Sequence, residues 1–267
     1  MFNIKRINRL DYAFGVGKIR AKEAKLLTKK DLLVILDSGL KESLRVIIEK
    51  SDYPEGLLEI KDSSDLEVIL DSHLEGTISL IKGLLKEKEL IESLLSSDDL
   101  KRSLEIAEKF KLDFLISYLR VLSDLLNIKL FFRFKNLRKE KEEFSNSLLE
   151  TGYLKKEIYL KSYLEPWEIF LESFSHTRYA TLVKESFEYF IKEKSFLKLE
   201  MLIEDFLVSQ IRSAKYICLG PEPLLAYYLA KKNEIDLIRL LIIAKLNDLP
   251  KEKVLVRLND TYSKCIV

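Results

Sequence analysis

Turn-forming residues are scarce: 8 glycines and 5 prolines punctuate 267 residues. Short strands joined by tight turns need many more, because such turns draw on the positive φ that glycine tolerates and the fixed φ of proline. The scarcity confines the chain to long helices with few interruptions, and the expected fold class is all-α. With 47% hydrophobic and 33% charged residues, the chain has apolar material for a full core and enough charge to keep its outside wet.

Periodicity and breakers place the helices. A first is expected over 10–27, and Thr28-Lys29-Lys30-Asp31 reads as a cap opening a second that Ser38-Gly39 stops. A third covers about 40–50 and ends at Tyr53-Pro54-Glu55-Gly56. Leu66, Ile69, Leu70, Leu74, Ile78, Ile81 and Leu85 make one apolar stripe along a helix over 64–86. Asp98-Asp99 opens a helical stretch that reaches about 138 with one break, and 152–165 reads as less regular. Pro166 suits a first turn, followed by the apolar face of Trp167, Phe170, Leu171 and Phe174. Helices over 177–193 and 197–216 precede the break at Gly220-Pro221-Glu222-Pro223, and helices over 224–246 and 251–258 follow it.

Charge and motif searches exclude more than they suggest. The 45 basic residues against 43 acidic leave a formal +2, without the basic excess of a phosphate-neutralising protein, so no nucleic-acid partner is expected. Cys218 and Cys265 have no second Cys or His at ligand spacing, which fits a reducing, cytoplasmic setting. The most apolar stretch, 237–246, is broken by Arg239 and Lys245, so no membrane span is expected. Met1-Phe2-Asn3-Ile4-Lys5-Arg6 lacks the continuous apolar segment of a secretory signal.

Gly15-Val16-Gly17-Lys18 fails as a phosphate loop, because Tyr12 and Ile19 occupy the defining positions, and Arg20 stands where a dinucleotide fingerprint needs glycine. His73 and His176 have no partners at metal spacing. Asp98-Asp99 is followed by Lys101-Arg102 and reads as a helix cap rather than a magnesium motif. Phe131-Phe132-Arg133-Phe134-Lys135 mixes aromatics with bases, but Glu140, Glu142 and Glu143 cancel much of the field, so core plus solvated face is expected. No catalytic, cofactor or metal set emerges.

Self-similarity is more informative. Ile19-Arg20 with Lys30-Asp31, Ile128-Lys129 with Lys139-Glu140, and Ile238-Arg239 with Lys251-Glu252 share one order at offsets of 109 and 110 residues, the third copy having two additional residues before its Lys-Glu. Gly17-Lys18-Ile19-Arg20-Ala21 after Tyr12-Ala13, Asp124-Leu125-Leu126-Asn127-Ile128-Lys129, and Pro223-Leu224 with Tyr228 to Ile235, Ile238-Arg239 and Leu249-Pro250-Lys251-Glu252 resemble the signatures of the V/A-type ATP synthase C subunits, relatives of the d subunit of eukaryotic V-ATPase. Leu237 replaces an expected Asn, Lys18 an early Arg, and 267 residues hold fewer than three lengths of about 110.

The resemblance implies helical modules arranged as a pseudo-threefold funnel, here 1–62, 63–165 and 166–267 in one compact body. It implies a non-catalytic central-stalk rotor protein on the cytoplasmic face of the membrane. Its partners would be the D and F subunits of the shaft and the membrane proteolipid ring, with no cofactor and no homo-oligomer. Arg20, Lys129 and Arg239 hold matching repeat positions and either line the funnel or pair with nearby carboxylates. The competing reading is a helical-repeat scaffold or adaptor, a fold that also shows periodic helices. An enzyme ranks third, for want of paired acids or a His-Asp site.

Overall fold

The computed structural model describes residues 7–95 and 99–263. The start Met1 to Arg6, Asp98 and Cys265 therefore lie outside the described residues. Among the described residues the chain is all-α, with no strand. The helices are α1 (Ala13–Glu23), α2 (Lys29–Asp37), α3 (Leu40–Lys50), α4 (Ser63–Leu84), α5 (Glu89–Leu95), α6 (Leu100–Lys109) and α7 (Asp113–Asn136). They continue as α8 (Lys141–Ser147), α9 (Lys156–Ser162), α10 (Trp167–Phe174), α11 (Ala180–Glu193), α12 (Leu197–Ile211), α13 (Glu222–Leu246) and α14 (Lys251–Arg257).

Side-chain caps set several of these boundaries. Thr28 and Asp31 form a reciprocal capping box at α2: Thr28 Oγ1 accepts from the Asp31 N–H, and the Asp31 carboxylate accepts from the Thr28 N–H at 2.9 Å. Asp62 caps α4 by accepting from Ser64 and Asp65, and Asp99 caps α6 by accepting from Arg102. Pro166 stands one residue ahead of the expected first turn, as the N-cap of α10, and Pro223 lies in the first turn of α13.

The expected long stretch from 98 to 138 is two helices. Lys111 at φ 51° separates them in a left-handed stop, with the Leu112 N–H bonded to the Ala107 carbonyl at 3.1 Å. The same stop recurs at Arg138 and Asp248, with φ of 52° and 50°. There Lys139 N–H bonds Phe134 O, and Leu249 N–H bonds Ala244 O. The last two copies of the sequence repeat thus share a physical form: a long helix, α7 or α13, then a left-handed stop, then a seven-residue helix, α8 or α14.

Two apolar cores hold the helices. The larger gathers Phe131, Phe132, Phe144, Phe170, Phe174 and Tyr179, with Phe131 stacked on Phe170 at 3.7 Å between ring centres. Both Phe131 and Phe132 are wholly buried, so they cannot serve as a base-stacking platform. The smaller core joins Leu27 to Leu70 of the early helices with Ile235 to Leu258 of the last two. Helix α13 enters both: Leu224 to Ala230 belong to the first core, Ile235 to Ala244 to the second.

Candidate functional site

All three repeat cations are ion-paired. From α1, Arg20 meets Glu23 at 2.7 Å and donates to the carbonyls of Ala214 (2.8 Å) and Ile217 (3.0 Å), closing the 3-10 turn Arg212–Tyr216. The Tyr262 hydroxyl also donates to Glu23, at 2.9 Å. From α7, Lys129 lies 3.4 Å from Glu200 of α12, which also takes Arg133 (2.7 Å) and Arg257 (2.5 Å). Burial works to raise the Glu200 pKa, yet Lys129 and Arg257 outweigh it and hold the carboxyl below its usual range. From α13, Arg239 reaches back to Glu67 of α4 at 2.9 Å and to Asp236 at 2.5 Å. Each cation ties its own helix to another part of the chain.

The central motif works as a staple. Asp124 is fully buried and accepts from the N–H groups of Tyr153 (3.1 Å) and Leu154 (3.0 Å) and from the Tyr179 hydroxyl (2.8 Å). Burial raises its pKa, an effect these donors oppose. One turn on, Asn127 exchanges two hydrogen bonds with the backbone of Leu149, at 2.8 and 2.9 Å. Gly152 lies against this staple: a Cβ there would fall onto the Asp124 carboxylate, 2.9 Å from its carbon. The irregular segment near Gly152 is thus held by the motif's acid and amide.

A further cluster sits where α13 passes from one core to the other. Lys231, 1% exposed, donates to Asp52 at 2.8 Å and to Glu234 at 2.7 Å, with its ammonium 4.5 Å from the centre of the Tyr53 ring. Asp52 also takes Lys22 at 3.1 Å and faces His73 Nε2 at 3.4 Å, while the His73 ring stacks on Tyr53. Glu234 accepts from the Tyr53 hydroxyl (3.3 Å) and the Leu27 N–H. Burial would raise the Asp52 pKa, but the nearby His73 ring and the charge of Lys231 reverse this, and the carboxyl is held well below the usual carboxylate range. Sequence reasoning missed Asp52. The available signal was Lys231 and Glu234, one turn apart within a helix that is apolar on either side of them.

In this cluster the two carboxylates of Asp52 and Glu234 face the two ammonium groups of Lys22 and Lys231, an arrangement that fixes geometry. Among the described residues no group of three or more His, Cys, Asp or Glu is disposed to hold a metal ion. No helix among them is long and apolar enough to cross a membrane.

Residues 86–257 match the family of the ATP synthase (C/AC39) subunit. Over 209 residues the chain is 24% identical to the C subunit of the A-type ATP synthase of Methanocaldococcus jannaschii, covering 77% of this chain and 47% of that protein. Over 236 residues it is 23% identical to the C subunit of the A-type ATP synthase of Methanobrevibacter smithii, covering 85% of this chain and 59% of that protein. The chain spans about half the length of the curated relatives it matches. The family match takes in α5 to α14 whole, the Asp124–Asn127 staple, two of the three repeat cations and the Lys231–Glu234 pair. This chain belongs to the ATP synthase (C/AC39) subunit family.

Proposed function

We propose that the protein is a non-catalytic central-stalk component of a V/A-type ATP synthase, joining the shaft made by the D and F subunits to the membrane proteolipid ring. The observation that carries this reading is the family match over 86–257. In this role the chain passes torque between a rotating shaft and a ring that moves protons or sodium ions, from the cytoplasmic face of the membrane. Torque needs a body that does not yield. Close-packed interiors resist deformation, and two cores threaded by one 25-residue helix, cross-tied by Arg20, Lys129 and Arg239, suit the demand. In the full reading, modules at 1–62, 63–165 and 166–267 close around a pseudo-threefold funnel that seats the shaft.

A rotor joint that stays assembled should bury about 2,000 Å² or more. It should therefore survive gentle purification. The test is affinity capture of the tagged full chain from membranes in mild detergent, with identification of what accompanies it. The D and F subunits with the proteolipid are expected. Recovery of the chain without any other ATP synthase protein, from membranes whose complex is otherwise intact, overturns the reading and favours an adaptor.

A further inference from the structure

A groove outside the two cores borders the Lys231 cluster and shares Lys22, Asp52 and His73 with it. It runs between α1 and α4 with a volume of about 670 Å³. Val68, Ser72, Gly76 and Leu80 recur every four residues and form its α4 wall. Lys18 and Lys22 form the α1 wall, and Tyr227 of α13 lies beneath. The two wall helices run antiparallel: a Cβ on Gly15 would meet Leu84 at 3.6 Å, while Lys22 and His73 converge on Asp52.

The walls suit a helix. Val68 on the α4 wall is 68% exposed. Val68, Ile69 and Leu80 give that wall an apolar surface that a partner's apolar face can cover. Between them the wall is low: nothing lies within 4 Å of where a Cβ on Gly76 would stand, so close packing within the chain does not account for that glycine. Val68 to Leu80 spans about 18 Å at 1.5 Å per residue, roughly three turns.

Charge selects the occupant. Lys18 makes no ion pair among the described residues, and the Lys22 side chain keeps 37% of its surface although it touches Asp52, which Lys231 and His73 also share. The α1 edge is therefore cationic. On α4, Glu67 and Asp71 turn away to Arg239, and Glu75 is exposed beside Gly76, so carboxylates of a visitor are favoured on the α1 edge alone.

We propose that this groove docks one amphipathic α-helix of a partner protein, apolar toward α4 and carrying carboxylates along the edge that meets Lys18 and Lys22. The proposal goes beyond the rotor reading and does not rest on it.

The test uses the full chain and two fluorescein-labelled helical peptides of about 18 residues, long enough to hold the required turns. Both have one Leu/Ala face; one carries Glu along one edge of it and the other carries Lys. By anisotropy the Glu peptide should bind saturably and at least about tenfold more tightly than the Lys peptide. Gly76→Trp, which fills open space, should weaken it at least about tenfold with an unchanged thermal midpoint, and Lys18→Glu should reverse the preference. No saturable binding of the Glu peptide, equal binding of both, or indifference to Gly76→Trp and Lys18→Glu overturns the proposal. A concentration-dependent dimer of the chain that Gly76→Trp dissolves in sedimentation assigns the groove to a second copy and overturns it too. Co-purification with ATP synthase subunits, or its failure, bears on none of these outcomes.

Discussion

At Lys231 an ammonium group that water would solvate is enclosed between Asp52 and Glu234. Taking charges out of water is costly, and the compensation is local, so removing one partner leaves the others buried and unpaired. Lys231→Met keeps the side chain's length and should lower unfolding stability by about 3 kcal/mol or more in urea; a loss under about 1 kcal/mol would contradict the lock. The pH dependence has a definite sign. The folded Asp52 carboxyl is held below its unfolded value, so its contribution is complete above about pH 4 and fades as the medium becomes more acid. Between about pH 4 and pH 2 the wild type should lose stability more steeply than Asp52→Asn. Parallel acid limbs would show that Asp52 is not a linked group. Such clusters are hard to read from sequence because their members lie far apart along the chain: Lys22, Asp52, His73 and Lys231 meet only after folding. Arg20, Lys129 and Arg239 share a spacing along the sequence, but the carboxylates they meet could not be read from it.

The elements that sequence reveals are those long enough to show a period. The apolar stripe of α4, the Thr28 cap and the Gly220–Pro223 break stand where spacing and turn chemistry put them. Helices α5, α8 and α9 have seven residues each, two turns at most, and give periodicity too little to act on. The position of the expected break between α6 and α7 was hidden for another reason: a lysine, not a glycine, takes the left-handed conformation there. That choice carries a cost, since a side chain in this region crowds the following carbonyl. Asp248, exposed and at φ 50°, ends α13 in the same way. Asp248→Gly should therefore raise stability by up to about 1 kcal/mol, with the sign opposite to that of a glycine placed inside a helix. Chemical denaturation of the two proteins side by side checks it. A loss of stability would mean that the aspartate side chain stabilises the turn by more than its backbone strain costs.

Across the whole molecule the question is whether two cores make one cooperative unit. Helix α13 argues that they do: its first half packs into one and its second half into the other, with the Lys231 cluster at the crossing. A helix cannot shed half its partners without exposing the buried charges between them, so each core's stability is transmitted to the other. Trp167, the single tryptophan, packs on the first core beside Phe132 and reports that region alone. Leu241, 1% exposed, belongs to the second. Leu241→Ala removes buried methyl groups and leaves a cavity, a change that costs about 2–5 kcal/mol. If the cores unfold together, the midpoint followed by Trp167 fluorescence should fall as far as the one followed by far-ultraviolet circular dichroism, although no Leu241 atom belongs to the tryptophan's core. A tryptophan transition that stays in place while the dichroism splits into two steps would mean that α13 yields at Lys231. A body that gives way at its own midpoint would also count against the proposed torque-bearing role.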